Sequence, residues 1–193
     1  MTVAAAPSST RSQIVAAAEG VFAALGYTGT TMADLAGAAG VTRPTVYAYF
    51  ASKADVFRAV AEAVRDDILA VQERARGATP AETAELGVVG YLDAYIRHLG
   101  VLTVIAHQAL TDPAMRILRD EIHDRANRRH TRFIERLAAA GTARPVVPPA
   151  AVSEAITGVV MRFAEIAVAE PGRRGELAAH LSAVHRGLLG LDR

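Results

Sequence analysis

The sequence predicts an all-α protein of about nine helices. Three observations carry that expectation. Ala fills 41 of the 193 positions, apolar residues recur at intervals of three and four, and most of these runs lie between a capping residue and a glycine or proline. No stretch alternates apolar and polar residues as a half-buried strand does.

Each element has its own reason. Residues 1–9 read as a loose tail ending in Pro7, Ser8 and Ser9. Thr10 with Gln13 three residues on forms a capping-box pattern, and Ile14, Ala18, Val21, Phe22 and Leu25 follow at helical spacing until Gly26, so a helix is expected over 10–25. Thr31 with Asp34 opens a helix running to about Ala39, and Gly40 ends it. Thr42 caps a short helix over 43–49, with Pro44 in its first turn, where a missing N–H costs little. Ser52 with Asp55 starts a fourth helix, reaching about Arg76. Thr79, Pro80 and Glu82 open a helix over 80–98; Gly100 is read as an interruption before a further segment over 101–110. Asp112–Pro113 begins a long helix to Ala140, stopped by Gly141. A loop with three prolines occupies 142–149, and two last helices, 150–169 and 174–190, are divided by Pro171–Gly172.

Composition removes several function classes. The absence of Cys excludes disulfides, a thiol nucleophile and cysteine-ligated metals. Twenty-one basic and 20 acidic residues give a net charge of +1, so any basic footprint must be local. The first nine residues carry no basic side chain, Glu19 breaks the apolar stretch that follows, and no run approaches the roughly 18 apolar residues of a membrane span; a cytoplasmic protein without membrane partners is expected. No phosphate loop, zinc-protease helix or nucleophile elbow appears, so no enzyme is expected. Asp120 with His123 and Glu176 with His180 fall short of a metal-ligand set, and neither metal nor cofactor is expected.

The informative stretch is Thr30–Lys53. It reads as a helix, a short turn containing Gly40, and a second short helix, which is the layout of a helix-turn-helix. Leu35, Ala36, Val46 and Phe50 supply an inward face. Thr42, Arg43, Thr45, Tyr47 and Tyr49 are left outward, and these residue types meet phosphates and base edges. Arg43, near the helix start, is placed for two parallel bonds to a guanine. Lys53, the chain's only lysine, stands in the first turn of a helix, against the dipole, which points to an anion such as a DNA phosphate.

Residues 10–57 resemble the tetracycline-repressor (TetR) family of bacterial regulators. The likeness is carried by Ile14, Ala17-Ala18, Phe22, Gly26-Tyr27, Thr30-Thr31, Ala33-Asp34-Leu35-Ala36, Ala39-Gly40-Val41, Thr45-Val46-Tyr47, Tyr49-Phe50 and Ser52-Lys53. Pro44 and Tyr49 depart from the pattern, where a small residue and a histidine are frequent. The resemblance implies a three-helix DNA-binding domain over 10–56 and a larger ligand-binding and dimerisation domain over 57–193. It also implies a homodimer on a palindromic double-stranded operator, released by a small-molecule effector, most simply as a repressor. By position, Thr31, Thr42, Tyr47, Tyr49 and Lys53 would hold phosphates, and Arg43, Pro44 and Thr45 would face bases. Residues 1–56 balance Arg11, Arg43 and Lys53 against Glu19, Asp34 and Asp55, so affinity should rest on a few placed contacts rather than a strong basic field.

Dimerisation is expected on the last two helices, through Val152, Ala155, Ile156, Val159, Val160 and Phe163, then Leu177, Leu181, Val184, Leu188 and Leu189; the same stripes would also serve a protomer's own core. An effector pocket is expected among helices spanning 80–170, with Tyr91, Tyr95, His98, His107, Gln108, Phe133, Arg162 and Glu165 as candidates. Arg162 and Glu165 would equally make a surface pair. Asp112–Arg136 holds seven arginines and five acids and reads as a solvated helix with internal ion pairs rather than a second DNA contact. The alternative to a sensor is a dimeric DNA-binding regulator that senses no small molecule.

Overall fold

Eight α-helices and one short 3-10 turn, with no strand, make up the described part of the chain: α1 Thr10–Gly29, α2 Met32–Ala38, α3 Arg43–Tyr49, α4 Lys53–Arg74, α5 Pro80–Gln108, α6 Pro113–Ala139, α7 Pro149–Ala169, the turn Pro171–Arg173, and α8 Arg174–Leu189. The structure is a computed structural model, and it describes residues 9–191 apart from the side chains of residues 72 and 73. The tail expected over 1–9 therefore lies, but for Ser9, outside the described residues.

Most helix starts are made by side chains three residues from the amide they serve. Asp34 N–H donates to Thr31 Oγ1 while Asp34 Oδ2 accepts from Thr31 N–H, closing a full capping box. Thr45 N–H donates to Thr42 Oγ1, Asp55 N–H to Ser52 Oγ, and Glu82 N–H to Thr79 Oγ1. Asp112 Oδ1 accepts from Ala114 and Met115 N–H at the head of α6. One start differs from expectation: Ser9, not Thr10, caps α1, because Ser9 Oγ accepts from Ser12 N–H.

The helix expected to stop at Gly26 breaks there, where Gly26 takes φ 68° and ψ 173°, and a further helical stretch reaches Gly29. The larger difference lies at Gly100, where two helices were expected and α5 runs unbroken. A Cβ on Gly100 would lie 2.7 Å from Ala23 Cβ. Glycine is needed here for close approach of α5 to α1, and with α5 continuous through it eight helices stand where nine were expected.

The chain divides into two compact units. Among the described residues the first takes 9–64 and 100–119, the second 65–99 and 120–191. In the first, Ile14, Ala18, Phe22, Leu35, Val46 and Phe57 are fully buried. Phe22 meets Phe57 edge to face at 4.8 Å, and Tyr27 lies 5.1 Å from Phe57. In the second, Ile68, Leu92, Ile122, Ile134, Ile156 and Leu181 form the centre. Arg174 closes on the Asp93 carboxylate with both Nε and Nη2. By length and composition alone α5 could cross a membrane; Leu92, Tyr95, Val101 and Ile105 on it are buried within this fold.

The apolar stripes of α7 and α8 divide. Val152, Ile156, Val160, Leu177, Leu181 and Leu189 are buried in the protomer's own core, so they are not available to a partner. Ala155, Gly158, Met161, Ala179, Ala183, Val184 and Gly187 remain exposed on the same helices.

Candidate functional site

The helix-turn-helix is α2, the turn through Gly40 at φ 65°, and α3. Leu35, Ala36, Val46 and Phe50 are buried as expected, and Val41 is half-buried in the turn. Gln13 Nε2 donates to Ala39 O at 2.9 Å, tying the end of α2 to α1. With its inner face fixed in this way, α3 presents Thr42, Arg43, Pro44, Tyr47 and Tyr49 to solvent, with Thr45 half-exposed.

Several of these outward groups touch one another. Arg43 Nη2 donates to Tyr47 Oη at 3.4 Å, and its guanidinium carbon lies 5.6 Å from the Tyr47 ring centre. Thr42 Oγ1 and Thr45 Oγ1 are 2.8 Å apart. Thr31 is exposed, and its hydroxyl donates to Asp34 Oδ2 at 2.7 Å. That bond holds the Asp34 carboxyl below its usual range. Arg11, which sequence reasoning did not single out, lies 5.1 Å from the Phe50 ring at the end of α3. Nothing local to Arg11 announces that contact; it depends on how α1 packs.

Lys53 is engaged within the protein. Its Nζ donates to Tyr27 O at 2.7 Å and Thr30 O at 2.8 Å, and sits 4.6 Å from the Tyr27 ring centre. The anion that its place against the α4 dipole called for is supplied in part by these carbonyls, where α1 ends.

The second unit holds a cavity of about 310 Å3, at the lower end of small-molecule sites. Of the residues expected there, Tyr91 and Phe133 line it. Tyr95 is buried close by and pairs through its hydroxyl with His123 Nδ1 at 3.2 Å, and burial raises its pKa far above the ordinary value. His98 sits instead against Asp67 at 3.1 Å, where Arg97 also bonds at 2.6 Å. The Arg97 bond holds the Asp67 carboxyl down to about 2. His107 is exposed, and Gln108 sits beside it in the other unit. Arg162 and Glu165 are an exposed pair at 2.8 Å. None of these last five lines the cavity.

Residues not foreseen do line it: Arg76, Arg129, His130, Arg136, Ile156 and His185. Ser153 Oγ bonds His130 Nδ1 at 3.2 Å, and His130 Nε2 faces His185 Nε2 at 3.0 Å. Asn127 Oδ1 accepts from Thr157 Oγ1 at 2.7 Å. Burial keeps both imidazoles neutral, with pKa values pushed down to about 4 for His130 and about 3 for His185. The arginines at 125, 129, 132 and 136 recur at helical spacing, a signal legible in the sequence but read there as a solvated face. Among the described residues no group of three potential metal ligands comes together.

A model of bacterial regulatory proteins, tetR family, matches residues 14–60. The HTH-type transcriptional regulator TtgR and the probable HTH-type transcriptional regulator ArpR, both of Pseudomonas putida, are each 42% identical over 57 residues, 30% of this chain. The match spans 27% of the length of those curated relatives. Among solved structures, a TetR-family regulator from Rhodococcus sp. superposes with a TM-score of 0.79 at 16% identity, covering 93% of this chain and 98% of that one. The TetR-family regulator PfmR from Thermus thermophilus does so with 0.73 at 20% identity, covering 92% and 97%. At these identities the structural likeness speaks to the fold.

Proposed function

We propose that the chain, whose residues 14–60 match the tetR family of bacterial regulatory proteins, is a cytoplasmic, ligand-responsive repressor of that family that binds a palindromic operator as a homodimer. The observation that carries this reading is the solvent-facing row on α3, with Arg43 braced by Tyr47 above a fully buried Val46. Residues 10–56 form the DNA-binding domain and 57–193 the effector and dimerisation domain. Arg43, Pro44 and Thr45 face bases, while Thr31, Thr42, Tyr47, Tyr49 and Lys53 sit along phosphates.

The exposed small and apolar residues of α7 and α8 pair with those of a second copy, so that two recognition helices enter successive major grooves about 34–40 Å apart. An effector in the cavity that prefers one arrangement by a few kcal/mol changes that separation. α4 carries the change, since its first turns belong to one unit and its last to the other. The cavity, with its polar lining, supports sensing over a regulator that senses nothing.

A gel shift on the chain's own upstream DNA tests the reading. Arg43→Ala should weaken binding by about 1–3 kcal/mol and relax sequence preference at one position. Equal binding by Arg43→Ala and Tyr47→Ala would remove α3 as the reading element. A bound effector that left DNA affinity untouched would remove the coupling.

A further inference from the structure

We propose that Arg11, at the start of α1, is a further DNA contact whose guanidinium holds a backbone phosphate beside the far end of α3. The inference rests on the reading of α3 as the helix that meets DNA, and it adds a residue from outside the helix-turn-helix.

The distribution of charge leaves a task that Arg11 fits. Residues 1–56 hold three basic side chains, Arg11, Arg43 and Lys53. Arg43 is the first residue of α3, at the end of a recognition helix that reaches base edges. Lys53 Nζ has three protons and commits two of them to Tyr27 O and Thr30 O. Duplex binding draws on neutralised phosphates, and Arg11 is the one of the three cations given to neither task. It is exposed, and among the described residues its side chain has one close partner, the Phe50 ring. The first turn of α1 holds no acid. A cation there opposes the helix dipole, so an anion brought from outside would stabilise it.

Packing sets where that charge lies. Gln13 Nε2 donates to Ala39 O at 2.9 Å and fastens α1 to the end of α2. Phe50 is buried at the C-cap of α3, and the guanidinium carbon of Arg11 lies 5.1 Å from its ring centre. The charge is thereby held beside the end of α3, where Tyr49 is exposed. Seven helical residues span about 10 Å, close to the roughly 12 Å width of a major groove. A helix of that length with its first residue at the bases brings its last residues to the groove wall, where the sugar–phosphate chain runs. Arg43 and Arg11 therefore bracket α3, one to read and one to anchor. Held by a ring rather than by a hydrogen bond, the Arg11 guanidinium keeps its five N–H donors, and a phosphate accepts two of them in parallel.

The test uses the full chain and follows binding by fluorescence anisotropy across a salt series. The probes are the chain's own upstream DNA and a random-sequence duplex of the same length. Arg11→Gln should weaken binding to both about three- to tenfold, because a phosphate contact is blind to sequence. The slope of log affinity against log salt should fall by about one per subunit bound. Arg11→Lys should restore the slope, since the slope counts charges. Melting temperature should hold within about 2 °C in both variants, as for other exposed substitutions. Arg162→Gln removes the same charge from the other unit and should leave the slope unchanged.

An unchanged slope in Arg11→Gln overturns the proposal. So does an equal fall in Arg162→Gln, which would make the effect one of net charge. A loss confined to the upstream DNA would make Arg11 a base reader. A lowered melting temperature with a slope that Arg11→Lys fails to restore would make it a packing residue over Phe50. Either result overturns the proposal as well. Arg43→Ala keeps the two readings apart. If it binds both duplexes as the unaltered chain does, α3 is not the reading element and Arg11 falls with it. If it weakens binding while Arg11→Gln does not, Arg11 alone falls.

Discussion

In the helix-turn-helix the capping partners lie three residues apart, Thr31 with Asp34 and Thr42 with Thr45. In the cavity, His130 reaches Ser153 across 23 residues and His185 across 55. The helix starts of the first region follow short-range rules, although its inner face still rests on packing against α1. The second exists only once α6, α7 and α8 have packed. A reading element must be stiff and identical in every copy, which local rules secure. A sensing element gains from parts that couple distant segments, since a ligand there can bias how the segments sit.

The strongest way to break this contrast is Val46→Asp. Val46 is fully buried on α3, and a carboxylate placed there should cost about 4 kcal/mol or more. DNA binding should vanish in a gel shift, while the near-ultraviolet tyrosine signal of buried Tyr91 and Tyr95 persists. Loss of both signals together would show that the regions fold as one.

Next comes acid. Burial holds His130 near 4 and His185 near 3, whereas a histidine in an unfolded chain titrates near 6.5. Between those values the unfolded chain binds protons that the folded chain does not. Stability therefore rises with pH across this window and is lost as pH falls from about 6.5 toward 4. Melting temperature should drop by roughly 5 °C or more over that range. Replacing His130 and His185 together with apolar residues should flatten the profile; an unchanged slope would place the acid sensitivity elsewhere.

Lys53→Met is a smaller change. Losing the bonds to Tyr27 O and Thr30 O should cost about 1–2 kcal/mol of stability in a denaturant melt. The salt dependence of operator binding separates its two roles: the slope falls by about one if Lys53 also holds a phosphate, and stays put if its work is internal. Smallest is Arg162→Gln. The pair with Glu165 is exposed, so stability should move by less than about 0.5 kcal/mol, and effector binding should not change. A large loss of binding would bring that pair back toward the site.

The same contrast explains what could be read in advance. Thr31, Thr42, Ser52, Thr79 and Asp112 were legible as helix starts because cap and amide are near neighbours in the chain. The buried face of Leu35, Val46 and Phe50 was legible from its period. Gly100 was misread because a glycine that breaks a helix and one that lets a neighbour approach look alike until Ala23 is seen beside it. In the cavity, Tyr91 and Phe133 were found by their chemistry, but the same criterion also selected His98, whose partner is Asp67, and His107, which faces solvent. His130 and His185 were missed because neither has a local sign that the other is 3.0 Å away.

Lys53 has one more consequence. It is the only side-chain amine in the sequence, and it is held at the carbonyl end of α1 beneath the Tyr27 ring. Reagents that acylate amines thus have a single side-chain target, and that target sits beside the reading element. The rate at which this one amine is labelled becomes a chemical gauge of whether the end of α1 is closed, readable by mass in mixtures where no fluorophore is present. Acylation would also strip the charge that binds the carbonyls, so the label loosens the joint it reports on.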